Sequence, residues 1–158
     1  GPSGTPVYAD AYVQIPKFGS TYAVPVVDGV DDYALSVGYG HFKESAGVGG
    51  VGNYALAAHR VTHGEPLRDM PSLAPGDEVR ITTKDATYVY VLDSAGDALT
   101  VDFKASWVLG DVPDNPKPKG VEPLQKAGQR LLTHTTCSEL FHTDNRLVAF
   151  GHLDHVER

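Results

Sequence analysis

The sequence predicts an all-β domain with little helix. Short runs rich in valine, tyrosine, threonine and isoleucine recur along the 158 residues, and glycine, proline and aspartate separate them. The 17 glycines and 11 prolines suit a barrel or sandwich with many turns. The apolar runs are also too regular for a disordered chain.

Seven runs are the predicted strands. In chain order they are AYVQIP (11–16), TYAVPVV (21–27), NYALAAH (53–59), DEVRITT (77–83), ATYVYVL (86–92), LLTHTTC (131–137) and RLVAFGHL (146–153). Pro75-Gly76-Asp77 predicts a turn that leads into the fourth run, and Gly96-Asp97 predicts a turn that closes a hairpin after the fifth. The proline-rich segment 110–123 is interpreted as part of a long loop within one domain.

Length and charge restrict the classes of function. A chain of 158 residues suits one domain with a single core. No apolar run approaches the roughly 20 residues that a membrane span needs. A formal net charge of −7, without a dense basic cluster, disfavours nucleic acid as a partner. The opening Gly1-Pro2-Ser3-Gly4 looks like a protease scar, so residues 1–10 are predicted to be a scar and N-terminal extension, and 11–158 the folded domain.

Cys137 is the only cysteine, so it cannot form an internal disulfide. Along a strand, alternate side chains share a face, which puts Cys137 with Thr133 and Thr135 and points His134 the other way. A lone cysteine is often a small buried hydrophobic residue. At the end of a strand it is equally a candidate nucleophile, if a nearby cation favours the thiolate. The residues themselves leave both interpretations open.

His59 and Arg146 are the candidate partners of this cysteine. The same alternation puts His59 on one face with Ala55 and Ala57, directly before a polar turn. Arg146 opens the last apolar run, across a short polar loop from Cys137. Taken singly, His59 could be a hydrogen-bonded histidine at a strand end, and Arg146 a surface arginine.

A metal site is the third possibility. Histidines that could take part are His59 and His63, spaced i, i+4, and His142, His152 and His155 near the C-terminus. The i, i+4 spacing binds metal on a helix, but Gly64 and Pro66 indicate a turn, and no HExxH glutamate lies between the first two histidines. We therefore predict no metal ligands.

Several motifs in the right order resemble one known family. THTTC (133–137) resembles the TLxTC signature of sortases, the cysteine transpeptidases of Gram-positive cell surfaces. The segment 53–79 resembles their histidine segment, 12–30 their first strands, and RLVAFGHL their arginine strand. The likeness runs from about Ala11 to Leu153. His59 followed by RVTHGEP is most similar to the class E sortases of actinobacteria.

The resemblance implies a fold and a chemistry. It implies a closed, eight-stranded sortase-type β-barrel with short helices and long loops. It also implies a cysteine transpeptidase that cleaves an LAxTG- or LPxTG-like sorting signal between Thr and Gly and transfers the acyl group to a cell-wall amine. Cys137 would be the nucleophile, His59 the general acid and base, and Arg146 the donor to the oxyanion or to substrate carbonyls. The implied substrate-binding residues are Thr136, Thr135, Ala58 and Trp107, the last on a loop (93–130) expected to wall the groove.

The resemblance also implies partners and a location. Expected partners are secreted proteins with a C-terminal sorting signal and an amino group of a peptidoglycan precursor, with no cofactor. A monomer on the extracytoplasmic face of the membrane, held by an anchor absent from this sequence, is expected. The alternatives are a hydrolytic cysteine peptidase on the same barrel, a non-catalytic peptide-binding barrel and a metal-binding module.

Four positions depart from the family's pattern. His134 stands where the signature has leucine, which concerns packing more than catalysis because this side chain points away from the thiol. Ser138 and Glu139 replace the His-Pro often found after the cysteine in class E. Phe42 replaces a tyrosine, so a substrate contact from a hydroxyl at this position is not expected.

Overall fold

A computed structural model describes residues 9–60, 64–102, 104–137 and 145–158. Nine strands form one sheet: β1 (Ala11–Gln14), β2 (Val24–Asp28), β3 (Tyr39–His41), β4 (Gly52–Ala58), β5 (Glu78–Thr82), β6 (Thr87–Leu92), β7 (Leu99–Asp102), β8 (Arg130–Thr136) and β9 (Asn145–Glu157). Within the described ranges, helix is confined to α1 (Asp32–Val37) and to 3₁₀ turns at Pro16–Phe18, Met70–Ser72 and Ser106–Leu109. The predicted all-β class is confirmed. None of these helices is long and apolar enough to span a bilayer.

Eight of the strands close into a barrel. Their order is β6-β5-β1-β2-β3-β4-β8-β9, and β6 also pairs with β9. The first part of β9, Asn145 to Val148, pairs with β7, and its last part, from Gly151 to Glu157, pairs with β6. The long strand β9 therefore serves both the barrel and the additional strand β7. The predicted eight-stranded closed barrel is confirmed.

All seven predicted strands are present, but the sequence interpretation missed β3 and β7, which are only three and four residues long. The hairpin predicted at Gly96-Asp97 is wrong. A turn does form there, since the Ala98 N–H donates to the Ala95 carbonyl at 3.2 Å. Both flanking strands, however, pair with β9 and not with each other. Turn chemistry predicts a local reversal, whereas the pairing partner depends on the whole sheet.

Alternation along the strands gives the barrel an inner and an outer apolar cluster. The inner cluster includes Tyr54, Leu56 and Ala58 of β4 and Leu132 of β8. The outer cluster forms around Val108, Val148 and Phe150, with further side chains of the loop 93–130 packed against it. The residues of β4, β8 and β9 that alternate with the inner set therefore face this loop.

Gly96 lies where the chain leaves no room for a side chain. A Cβ at this position would be 1.8 Å from the Met70 carbonyl oxygen, and the Gly96 N–H donates to the Leu73 carbonyl at 2.9 Å. Gly96→Ala is expected to lower the free energy of unfolding by about 3 kcal/mol or more, because backbone has to move to relieve the clash. Urea unfolding measures this loss. Gly47→Ala is the control, since its added Cβ would meet no described atom within 4 Å; equal losses in the two variants would contradict the explanation.

Candidate active site

The ends of β4 and β8 place His59 beside Cys137. The two strands are parallel neighbours, with Ala57 opposite Thr135 and Ala58 opposite Thr136. The Cys137 N–H continues this ladder by donating to the Ala58 carbonyl at 2.9 Å. His59 and Cys137 are the next residues on each strand, so their backbones lie about 4.8 Å apart and their side chains share the outer face.

The backbone of His59 is held from a second direction. The Leu67 N–H donates to the His59 carbonyl at 3.0 Å, and the Leu67 side chain is fully buried in the inner cluster. The chain that leaves β4 at His59 therefore returns to it at Leu67. His59 is fixed between the β4–β8 ladder and the core.

Arg146 lies on the other side of Cys137. In the antiparallel pair β8–β9 the last paired residues are Thr135 and Val148, so Cys137 and Arg146 each lie two residues beyond that pair, toward the same end of the barrel. Val101 of β7 pairs with Arg146 from the far side. His59 and Cys137, which directly follow β4 and β8, and Arg146 of β9 thus lie at the same end of three neighbouring strands.

Two threonine hydroxyls set the start of β9. The Thr135 hydroxyl donates to the Leu147 carbonyl at 2.9 Å, and the Thr136 hydroxyl accepts from the Leu147 N–H at 3.0 Å. Both threonines are buried. Their side chains therefore hold the residue after Arg146, and the substrate contacts expected of them stay predictions.

A cavity of about 220 Å³ opens beside Arg146. Its lining is mainly apolar, with a few polar side chains: Val30, Phe42, Val101, Asp102, Ala105, Ser106, Val108, Leu109, Thr135 and Arg146. The Arg146 Nε is buried and has no hydrogen-bond partner among the residues that the structure describes. Because an unmet buried donor costs about 1–3 kcal/mol, this N–H is suited to a ligand acceptor.

The loop that covers this face is bound to the barrel by a buried polar group. The Asn53 side chain of β4 donates to the carbonyls of Val108 and Gly110 at 2.9 and 3.0 Å. The Thr133 hydroxyl of β8 donates to the side-chain amide oxygen Oδ1 of Asn53 at 2.8 Å. These bonds fix the 3₁₀ turn that forms one wall of the cavity.

Two further predicted substrate-binding residues are also located. Ala58 is fully buried, and its side chain points into the barrel. Its backbone carbonyl lies near the site, but that carbonyl accepts a hydrogen bond from the Cys137 N–H. Trp107 is half-buried and packs on Phe150, with ring centroids 6.0 Å apart. It belongs to the outer apolar cluster, and its contact with substrate stays a prediction.

His134 points into the barrel, as strand alternation predicted. Its ring is fully buried and stacks on Tyr39, with ring centroids 5.3 Å apart, and its Nε2 lies 2.9 Å from the Tyr39 hydroxyl. Burial lowers the pKa of His134 to about 4. Sequence reasoning missed Tyr39, because the two residues are 95 positions apart and no local pattern links them.

Acidification is expected to destabilise the fold through His134. An unfolded histidine titrates near pH 6.5, whereas the folded pKa of His134 is about 4. Between these values the unfolded chain binds a proton that the folded chain does not, so the free energy of unfolding falls as pH falls. The full difference is on the order of 3 kcal/mol.

Urea unfolding at about pH 7.5 and about pH 4.5 measures this loss. His134→Leu is the comparison, because it removes the titrating group and keeps a side chain of similar size. The variant should lose less stability on acidification than the unmodified protein. The same pH dependence in both proteins would show that His134 does not carry the effect.

The histidines considered for metal binding are dispersed. His63 and His142 lie outside the described residues. His152 contacts Asp93 at 2.9 Å, and His155 contacts Asp154 and Glu157 at 2.6 and 2.9 Å, all in exposed pairs. Within the described part of the chain, no group of three or more His, Cys, Asp or Glu side chains is arranged to hold a metal ion.

Comparison with known proteins decides the family. The family model described as Sortase domain matches residues 13–154. The chain belongs to the sortase family. This sortase is 34% identical over 148 residues to Sortase SrtE1 of Streptomyces coelicolor, which covers 89% of the chain but 39% of that protein. The chain thus spans about two fifths of the length of the curated relative.

Solved structures agree with the predicted likeness to class E sortases. Sortase E from Streptomyces avermitilis has a TM-score of 0.80 at 34% identity, covering 94% of this chain and 90% of that one. Sortase E1 from Streptomyces coelicolor, solved with a tripeptide in its active site, has a TM-score of 0.78 at 28% identity, with coverage of 94% and 90%. The predicted resemblance is confirmed for this sortase.

Proposed function

We propose that this sortase is a cysteine transpeptidase in which Cys137 is the nucleophile, His59 the general acid and base, and Arg146 the oxyanion donor. The observation that carries the proposal is the register of β4, β8 and β9. It brings His59, Cys137 and Arg146 to the same end of three neighbouring strands. Their side chains can supply the general acid and base, the nucleophile and the oxyanion donor of covalent acyl transfer by a thiolate.

In the first half-reaction, the Cys137 thiolate attacks the threonine carbonyl carbon of a Thr-Gly bond. The resulting tetrahedral intermediate expels the glycine amine, which takes a proton from the His59 imidazolium. A thioester to Cys137 and a free downstream peptide result. Only the protonated imidazole can supply this proton, so thiolate and imidazolium are needed together.

In the second half-reaction, an acceptor amine attacks the thioester carbonyl. Neutral His59 takes the proton from that amine, and the Cys137 thiolate leaves as the new amide forms. Water in place of the amine would give hydrolysis, so exclusion of water from the thioester separates a transpeptidase from a peptidase.

Arg146 supplies charge and hydrogen-bond donors to both half-reactions. Its buried Nε–H, which has no partner within the described ranges, and its guanidinium are suited to the oxyanion or to substrate backbone carbonyls. The adjoining cavity, with Phe42, Val101 and Leu109 in its wall, is large enough for one apolar side chain of the peptide. Phe42 offers that side chain a ring without a hydroxyl.

The proposed substrates are secreted proteins with a C-terminal LAxTG- or LPxTG-like sorting signal, cleaved between Thr and Gly. The proposed acceptor is an amino group of a peptidoglycan precursor. The proposed location is the extracytoplasmic face of the cell membrane, and the proposed oligomeric state is a monomer. Likeness to class E sortases supports this substrate class.

Mass spectrometry of peptide products tests the reaction and its specificity together. LAxTG and LPxTG peptides are each incubated with the protein, with and without triglycine as an amine acceptor. We expect cleavage after threonine and, with the acceptor, a product in which the threonine carbonyl is joined to triglycine. A threonine carboxylate as the only product at high acceptor concentration would instead identify a hydrolytic peptidase, and binding without cleavage would identify a peptide-binding barrel.

A further inference from the structure

We infer that His134, Tyr39 and Tyr22 form a buried hydrogen-bonded chain that positions His59 relative to Cys137. The inference rests on the proposed function, because positioning matters only if the two side chains react together. The chain begins on the cysteine strand β8 and ends on the segment that returns to His59. It runs from the buried His134 and Tyr39 to the half-buried Tyr22, and none of its three side chains is among the proposed reacting groups.

The chain consists of three consecutive hydrogen bonds. His134 Nε2 lies 2.9 Å from the Tyr39 hydroxyl, and the Tyr39 and Tyr22 hydroxyls lie 2.8 Å apart. The Tyr22 hydroxyl donates to the Pro66 carbonyl at 2.7 Å. The four groups thus belong to four different elements: β8, β3, the segment before β2 and the loop after β4.

A count of protons gives every bond its direction. A carbonyl can only accept, so the single Tyr22 proton goes to Pro66. Tyr39 must then donate to the Tyr22 oxygen, and its own oxygen can only accept from a proton on His134 Nε2. His134 Nε2 therefore carries a proton. Bonds aligned in this way polarise one another, so the chain acts as a unit.

Both ends of the chain adjoin the candidate active site. His134 comes three residues before Cys137 on β8. Pro66 directly precedes Leu67, whose N–H holds the His59 carbonyl at 3.0 Å. The chain thus ties the strand that presents the thiol to the backbone that fixes the imidazole.

The surroundings of the chain favour its neutral, ordered form. Tyr39 and His134 are fully buried, and the register neighbours of His134 on β4 and β9 are Leu56 and Ala149. Burial lowers the pKa of His134 to about 4 and raises that of Tyr39. The direction of the hydrogen bonds is therefore kept at neutral pH. His134 Nδ1 has no partner among the described residues, so Nε2 carries the link to the rest of the protein.

Breaking the chain at either end tests the inference. His134→Leu removes the first donor and Tyr22→Phe removes the last. Each is expected to lower kcat by about 10-fold or more while KM for the peptide stays unchanged, since a misplacement of 1 Å can cost about 100-fold. Because the chain acts as a unit, the double variant should lose no more than the larger single loss.

Two further variants separate positioning from general packing. His134→Gln keeps an N–H donor near the position of Nε2, so it should restore most of kcat. Tyr90→Phe is the matched control, because it removes another core hydroxyl, the acceptor of the Gly49 N–H at 2.7 Å, on β6, which does not pair with β8. It should leave kcat unchanged. A loss in Tyr90→Phe equal to that in Tyr22→Phe, or no rescue by glutamine, would overturn the inference.

A measurement without peptide distinguishes failure of the positioning role from failure of the proposed transpeptidase function. The rate of Cys137 alkylation by iodoacetamide is measured against pH for the same variants, with thermal unfolding to verify that each is folded. Breaking the chain should move the midpoint of this profile to higher pH, because His59 is less well placed to favour the thiolate. If the unmodified protein does not process peptides, the proposed function fails while the alkylation profile still tests the chain. Alkylation profiles identical in all variants would overturn the positioning role itself.

Discussion

Replacing Cys137 by alanine is expected to abolish cleavage and transfer of sorting-signal peptides, with a fall in rate of at least about 1,000-fold. In the proposed mechanism neither other member of the site can take over as the nucleophile, because His59 acts as acid and base and Arg146 as donor. The fold should be unaffected. Cys137 is half-buried at the end of β8, and its N–H bond to the Ala58 carbonyl does not involve the side chain.

The measurement is product formation followed by mass spectrometry, together with the mass of the intact protein during turnover. The unmodified protein should acquire the mass of the acyl peptide, and Cys137→Ala should not. Thermal unfolding verifies that the variant is folded. Full cleavage by folded Cys137→Ala would exclude covalent catalysis at this residue. If neither protein cleaved the peptide, a non-catalytic peptide-binding barrel would be the remaining alternative.

Replacing Arg146 by lysine is expected to lower kcat by about 100-fold although the positive charge is kept. Lysine has a methylene where arginine has Nε–H, so the buried donor that has no partner in the described part of the chain is lost. Removal of a single oxyanion donor costs about 100- to 1,000-fold in other enzymes. An Arg-to-Lys change is not conservative where several donors in a fixed plane are needed.

Arg80→Lys is the matched control for this variant. Arg80 forms ion pairs with Glu78 and Glu157, and it lies on β5, which is not a neighbour of β8 in the barrel. The control should retain its kcat. Steady-state kinetics with an LAxTG peptide measures both variants. If Arg146→Lys keeps full kcat, the charge of Arg146 suffices and its role as a directional donor is wrong.

The sequence alone determined the faces of the strands. Side chains alternate with a period of two on any strand. His59 could therefore be assigned to the same face as Ala57, and Cys137 to the same face as Thr135, before any strand pairing was known. The same rule assigned His134 to the face opposite Cys137. The structure confirms this grouping, since His134 lies in the barrel against Tyr39 and Ala55 and Ala57 alternate with the inner set on β4. The resemblance to family motifs further predicted the closed barrel and the three candidate catalytic residues.

Strand pairing was decided only by the tertiary structure. The turn at Gly96-Asp97 follows from local backbone chemistry, yet its flanking strands both pair with β9. Short strands such as β3 carry too few residues for a recognisable alternation, so the place of Tyr39 was not predictable. Nothing near Arg146 in the sequence indicated that Leu147 would be held by two threonine hydroxyls. Alternation and turns depend on adjacent residues, whereas pairing and buried polar contacts depend on residues far apart in the chain, whose meeting requires the closed barrel.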